Sequence, residues 1–255
     1  MSTSLRGMLG RGKPPVIGTV NVLGSIEAIE LACHAGFDFV LVDWQHGSFD
    51  RNLMREAVRA IDAAGCIAMA RPPAAVGVDL GSIEWLLDMG YRALLMPMVN
   101  TADEARAIVE AAYYAPCGKR SVASCRANIH YGKEYRQTIN NELVVLAMIE
   151  TVQAVQNAEQ IAAIKGITGC FIGGGDLGVD MAGIDGEFDS KEFEQAIERV
   201  RQVTVAAGKV PAIAMNDPGG VRRRIEQGFE LLTYATDLRF MNGALNHAHD
   251  EVRPV

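Results

Sequence analysis

The stretch GFDFVLVDWQHG, residues 36–47, shows in one place how this chain is built. A glycine stands where a helix would end, the apolar run Phe39–Val40–Leu41–Val42 follows, and Asp43 and His46 come directly after it. A short apolar run bounded by turn residues reads as a strand, and polar groups just past it mark the strand's C-terminal end. Working outward, the same unit recurs along the whole chain. Strands are predicted at 16–20, 38–43, 66–71, 93–97, 143–150, 168–173, 210–215 and 230–235, with helical patterns between them. In 25–35, Ile26, Ile29, Ala32 and Cys33 share one face, and 101–112 opens with a capping box from Thr101 to Glu104. Gly36, Gly65, Gly90, Gly166, Gly208 and Gly228 each fall between a helix and the next strand, where a helix-ending glycine belongs. Repeated βα units in a chain of 255 residues predict one α/β domain over 1–255, a parallel (β/α)8 TIM barrel. A doubly wound open sheet is the alternative that alternation alone leaves standing.

Composition excludes several function classes. The chain is 49% hydrophobic and 22% charged, enough for a substantial core, with a formal net charge of −7. An acidic balance argues against nucleic-acid binding, which draws its affinity from clustered Lys and Arg. The run Arg222–Arg224 reads as a solvated helix face. Five cysteines without a C-x-x-C pair read mostly as small buried hydrophobes. Residues 1–15 carry no apolar signal-peptide core and no segment approaches a membrane span, so a cytoplasmic protein is expected. One segment, 113–142, is longer than an ordinary barrel connection. It is expected to hold a short helix near 133–141 and to be functional or interfacial.

The chemistry gathers at one end of the strands. In parallel barrels the active site forms at the strands' C-terminal ends. Found there are Asp43 and His46 after the second strand, Arg71 closing the third, Glu150 closing the fifth and Asp176 just after the sixth. Each has a plain structural alternative: a packed histidine, a loop-capping arginine, a carboxylate on backbone amides. Their convergence on one rim favours a site. Glu150 and Asp176 suit a hard divalent cation completed by water and a chelating substrate. The segment FIGGGDLG, 171–178, formally matches G-x-G-x-x-G, but an acid stands where a pyrophosphate would approach. It reads better as a glycine turn whose amides form an anion nest beside Asp176. None of the lysines (Lys13, Lys119, Lys133, Lys165, Lys191, Lys209) falls where a Schiff-base nucleophile of the barrel mouth would, and Lys13, Lys165 and Lys209 precede strands at the opposite end. Metal-assisted enolisation is therefore favoured over Schiff-base chemistry.

Taken together, GFDFVLVDWQHG, MARPP, LLDMGYRALLMPMVNTADEAR, GKRSVASCRA, MIET and GCFIGGGDLGVDMAG resemble, in this order, the HpcH/HpaI family of class II pyruvate aldolases. The resemblance implies Glu150 and Asp176 as ligands of a divalent metal (Mg²⁺, Mn²⁺ or Co²⁺), His46 as base, and Arg71 as stabiliser of an enolate. It implies that Asp43 orients His46, and that amides around Gly173, Gly174 and Gly175 hold a pyruvate carboxylate. Asp88 matches the family acid that tunes the histidine. Because it should lie at the bottom of its own barrel, it can act only across a subunit contact, as in a homo-oligomeric trimer of dimers (a hexamer) with a swapped C-terminal helix. The implied reaction is reversible cleavage of a 4-hydroxy-2-oxo acid to pyruvate and an aldehyde, with small-molecule partners only and neither nucleic acid nor membrane. Gln45, Met148 and the GGGD sequence depart from many members, so the substrate preference is not carried over. The resemblance also implies a barrel of the phosphoenolpyruvate/pyruvate superfamily type, and an acyl-CoA lyase of that superfamily and a non-catalytic 2-oxo-acid binding protein are the alternatives.

Overall fold

The structure, a computed structural model, describes residues 4–74, 79–184 and 190–253. In chain order the elements are α1 (Leu5–Met8), β1 (Val16–Asn21), α2 (Ile26–His34), β2 (Phe39–Asp43), α3 (Arg51–Ala63), β3 (Ile67–Arg71), α4 (Leu80–Met89) and β4 (Ala93–Met96). There follow α5 (Ala102–Ala112), α6 (Arg126–Tyr131), α7 (Tyr135–Glu142), β5 (Val144–Ile149), α8 (Val152–Ala162) and β6 (Gly169–Ile172). The chain ends with α9 (Gly174–Ala182), α10 (Lys191–Ala206), β7 (Val210–Met215), α11 (Pro218–Glu226), β8 (Leu231–Thr236) and α12 (Asp237–Val252). The strands close into one barrel in sequence order, each parallel to the next, with β8 returning to β1. Closure rules out the open sheet.

Side chains alternate across a strand, and that alternation builds two separate cores. Val40, Val42, Ala68, Ala70, Val145 and Ala147 face the helices and join one continuous layer. Leu41, Met69, Leu146, Met148 and Phe171 have the other parity and fill the barrel interior. Leu5 and Leu9, from α1 and the residue after it, plug that interior from the N-terminal end of the strands. Gly18 makes room for the filling: a Cβ there would sit 2.5 Å from the Phe39 ring. The six expected helix-ending glycines all adopt positive φ, from 68° at Gly208 to 106° at Gly166. The capping box forms as read, Thr101 Oγ1 accepting from the Glu104 amide and Glu104 Oε2 from the Thr101 amide.

Two readings are revised and one is extended. Segment 113–142 holds the short helix expected near 133–141, as α7, together with a second one, α6, packed against α4. Arg126 donates to the Met89 carbonyl at 2.6 Å, satisfying the end of α4, and the Tyr135 ring is buried. Arg224 is not solvated: it is 3% exposed and donates through both terminal nitrogens to Glu194 at 2.7 Å. Of the cysteines, all free, Cys170 is buried, Cys117 is exposed and the others are half-buried. Among the described residues no helix is long and apolar enough to cross a membrane.

Candidate active site

Strand parity places the reacting groups. Asp43 and Arg71 share the inward parity of Leu41 and Met69, and Glu150 continues that of Leu146 and Met148, so their side chains emerge at the interior's C-terminal rim. The register does the rest. Asp43 and Arg71 are direct partners across β2 and β3, and they form a two-point ion pair. Arg71 Nε donates to Asp43 Oδ1 at 2.9 Å and Nη2 to Oδ2 at 2.6 Å. Asp43 is 1% exposed, so this pair is held in a low-dielectric setting, where removing either partner strands a charge. With two nitrogens engaged, Arg71 Nη1 turns along the interior toward Met148 Sδ, 3.9 Å away.

Asp43 does not orient the His46 imidazole as expected. Its Oδ1 accepts the backbone amides of Gln45 and His46, at 3.0 and 3.3 Å, and so shapes the turn that carries the histidine. The imidazole itself is exposed and, among the described residues, has no hydrogen-bond partner. Gln45 lies beside it with a buried Oε1 that lacks a partner.

Glu150 is 2% exposed and its Oε1 accepts the Met98 amide at 2.6 Å. Met98 has φ 53°, an unusual conformation for a side-chain-bearing residue, and it aims that amide at the carboxylate. Sequence reasoning missed this contact, because a backbone donor leaves no residue signature. Burial pushes Glu150 up to about 7, the neighbouring Asp176 carboxylate adds to the rise, and the Met98 amide and Arg71 oppose it. Its second oxygen faces Gly173, where a Cβ would come within 2.6 Å. Asp176 sits in the first turn of α9, where the helix dipole favours a carboxylate. The expected glycine turn is thus the start of a helix. The first helical bond runs from the Leu177 amide to the Gly173 carbonyl, so the Gly174 and Gly175 amides have no intrahelical acceptor, the state of the first amides of any helix.

Two juxtaposed carboxylates, one buried and repelled by the other, suit a divalent cation that would relieve the repulsion. Among the described residues no group of three or more His, Cys, Asp and Glu gathers to hold a metal. A cation held by Glu150 and Asp176 would therefore take its other ligands from water or substrate, the habit of Mg²⁺-type ions. At the same end of the barrel opens a cavity of about 380 Å³ lined by Asp43, His46, Arg71, Met148 and Phe171, with Thr233, Thr236 and Leu238 opposite; Arg71 and Met148 line it, whereas Glu150 and Asp176 do not.

Asp88 lies elsewhere. It is the penultimate residue of α4, at the N-terminal end of the barrel, where Arg120 Nη2 donates to its Oδ1 at 2.7 Å. The structure thus brings Asp43, His46, Arg71, Glu150, Asp176 and Gly173–Gly175 to one end and leaves Asp88 at the other.

The profile described as HpcH/HpaI aldolase/citrate lyase matches residues 23–239. A hydroxypyruvate/pyruvate aldolase from Rhizorhabdus wittichii is 33% identical over 98% of both chains. A 4-hydroxy-2-oxo-heptane-1,7-dioate aldolase from Shigella sonnei is 35% identical over 93% of this chain and 90% of its own. A crystal structure of an HpcH/HpaI aldolase/citrate lyase family protein from Burkholderia cenocepacia superposes with a TM-score of 0.91, at 30% identity and 98% coverage of both chains.

Proposed function

The chain belongs to the HpcH/HpaI aldolase/citrate lyase family and is a carbon–carbon lyase of the aldolase type; from that premise we propose that it cleaves 4-hydroxy-2-oxo acids to pyruvate and an aldehyde at the mouth built around Arg71. The observation that carries this reading is a guanidinium fixed by Asp43 at the wall of a cavity sized for a small oxo acid, next to the buried Glu150 carboxylate and the exposed Asp176 that adjoins it.

Glu150 and Asp176 would hold a divalent cation, which supplies Lewis-acid polarisation of the 2-oxo group and charge for its carboxylate. The chain's own residues do the remainder. The amides of Gly174 and Gly175 receive the substrate carboxylate at the start of α9. His46 takes the C4 hydroxyl proton. As the C4–O bond becomes a carbonyl, the C3–C4 bond breaks and its electron pair moves through C2 onto the former keto oxygen. Arg71 Nη1 is the donor placed to stabilise that oxygen, and because Asp43 fixes the other two nitrogens, little reorganisation is needed as charge develops. Protonation at C3 then yields pyruvate. The same steps in reverse join pyruvate to an aldehyde.

The names of the relatives include both hydroxypyruvate/pyruvate and heptanedioate aldolases, and they support a 2-oxo acid as the nucleophile. Asp237 is the lone buried residue of α12, while Leu238, Met241 and Leu245 are all more than half exposed. That uncovered face supports a homo-oligomer in which α12 packs on a neighbouring subunit. The deciding experiment is pyruvate release from a panel of 4-hydroxy-2-oxo acids. Chelation should abolish it, and Mg²⁺, Mn²⁺ or Co²⁺ should restore it, while borohydride with pyruvate should leave the protein unlabelled. Full activity in excess chelator, or a reduced lysyl adduct, would refute the assignment.

A further inference from the structure

The barrel's opposite end holds a larger cavity, about 610 Å³, lined by Arg6, Lys165 and Lys209 together with Asn140, Asn141 and Tyr113. Its position follows from the topology. Lys165 lies in the turn from α8 to β6, Lys209 in the turn from α10 to β7, and Arg6 on α1 beneath the barrel. In a chain of net charge −7, the described lining of this cavity contains no carboxylate.

The three cations are only partly satisfied. Arg6 Nη1 donates to Thr168 Oγ1 at 2.7 Å, and Lys209 Nζ donates to the Ile167 carbonyl at 2.7 Å. Among the described residues, the Lys165 ammonium has no partner, and none of the three is within ion-pair distance of an acid. Lys209 is held below the usual lysine range, first by burial and then by the Arg6 charge. Like charges collected in a recess, anchored on neutral oxygens and left without a counter-charge, are an arrangement that a bound anion would stabilise. The walls are mixed: Val109, Pro116 and Ile167 offer apolar surface for a carbon skeleton next to the cationic corner. A bare oxyanion would leave much of the volume empty.

We propose that this underside cavity is a second binding site, which takes a small organic anion of two or more negative charges through Arg6, Lys165 and Lys209. Phosphate esters and polycarboxylates share the required chemistry. Because Arg6 belongs to the segment whose Leu5 plugs the barrel, an anion here also fastens the N-terminal segment to the turns before β6 and β7.

Calorimetric titration of metal-free protein separates the sources: glycerol 3-phosphate in one arm, tricarballylate in another, with inorganic phosphate and acetate at matched ionic strength. Saturable binding of one or both organic polyanions is expected, tighter than phosphate and with acetate inert. Lys165→Glu, at an exposed partnerless position, should weaken it by at least about tenfold with basal aldol cleavage unchanged, and Arg6→Gln should weaken it less. His46→Ala, in the mouth, should leave this affinity intact. The proposal fails if the titrations are flat. It fails equally if the affinity is lost in His46→Ala but kept in Lys165→Glu, because the anion then occupies the mouth. It also fails if light scattering shows Lys165→Glu disrupting the assembly of a protein that binds no anion, because the recess is then a subunit contact.

Discussion

Arg71 is a cation with two of its three nitrogens already committed to Asp43, and that commitment defines what a substitution there would remove. Lysine could keep one contact to Asp43 or one to a substrate oxygen, but its single ammonium has no planar fork with which to make both. Arg71→Lys is therefore expected to retain fold and metal binding while losing roughly 10²-fold or more in rate, the scale for one oxyanion donor. The loss should appear both in aldol cleavage and in exchange of pyruvate C3 protons in deuterated water, since each passes through the enolate; wild-type exchange would reduce Arg71 to a loop anchor. Glu150 gives a pH signature of a different kind. Its folded pKa is raised above the ordinary carboxylate value, so the folded state binds the proton more tightly than the unfolded chain. The stability this confers is full below the unfolded value of about 4.5 and is lost as pH rises toward about 7. Melting temperatures of the metal-free protein should fall across that window. In Glu150→Gln, which mimics the protonated form, the slope should flatten; an unchanged slope would place the titration elsewhere.

The turn from β6 into α9 joins the carboxylate pair to the amides, and it depends on Gly173 for a steric reason. A Cβ there would lie 2.6 Å from both Glu150 Oε2 and Met148 Cε. Gly173→Ala must therefore push the buried carboxylate off its position while β6 and α9 persist. Metal affinity measured by titration should drop at least tenfold, with the melting temperature of the metal-free protein little changed; undiminished affinity would show that Glu150 is not the ligand. At this scale the sequence was largely readable. Apolar runs and left-handed glycines located every strand to within a residue or two, and the polar residues at the C-terminal ends of β2, β3 and β5 did mark one rim. What it could not show depends on tertiary neighbours. The four-residue α1 is too short for any periodicity, and Arg224 looks solvated until Glu194 of another helix meets it. The bond from Asp43 to Arg71 rests on register, which no single strand encodes.

The whole molecule leaves one expected participant stranded. Asp88 is fixed by Arg120 at the N-terminal end of the barrel, whereas His46 is exposed at the C-terminal end without a partner among the described residues. A barrel cannot bring its two ends together, so an acid that tunes His46 from this position must come from a neighbouring subunit. The exposed apolar face of α12 makes such a neighbour physically reasonable, since Leu238, Met241 and Leu245 gain burial only in an assembly. This arrangement has a consequence that a purely structural Asp88–Arg120 pair lacks. If each working site takes His46 from one chain and Asp88 from the next, two differently damaged chains can rescue each other. His46→Ala and Asp88→Asn homo-oligomers should each be slow. Unfolding and refolding them together at equal amounts should restore cleavage toward about a quarter of wild type, because random pairing leaves that share of sites with both residues intact. The recovered fraction should show the wild-type pH profile, which a change in stability alone would not produce. Mixed oligomers no faster than the mean of the two parents, with mass measurements confirming that mixing occurred, would confine Asp88 to its bond with Arg120 and leave His46 to work without it.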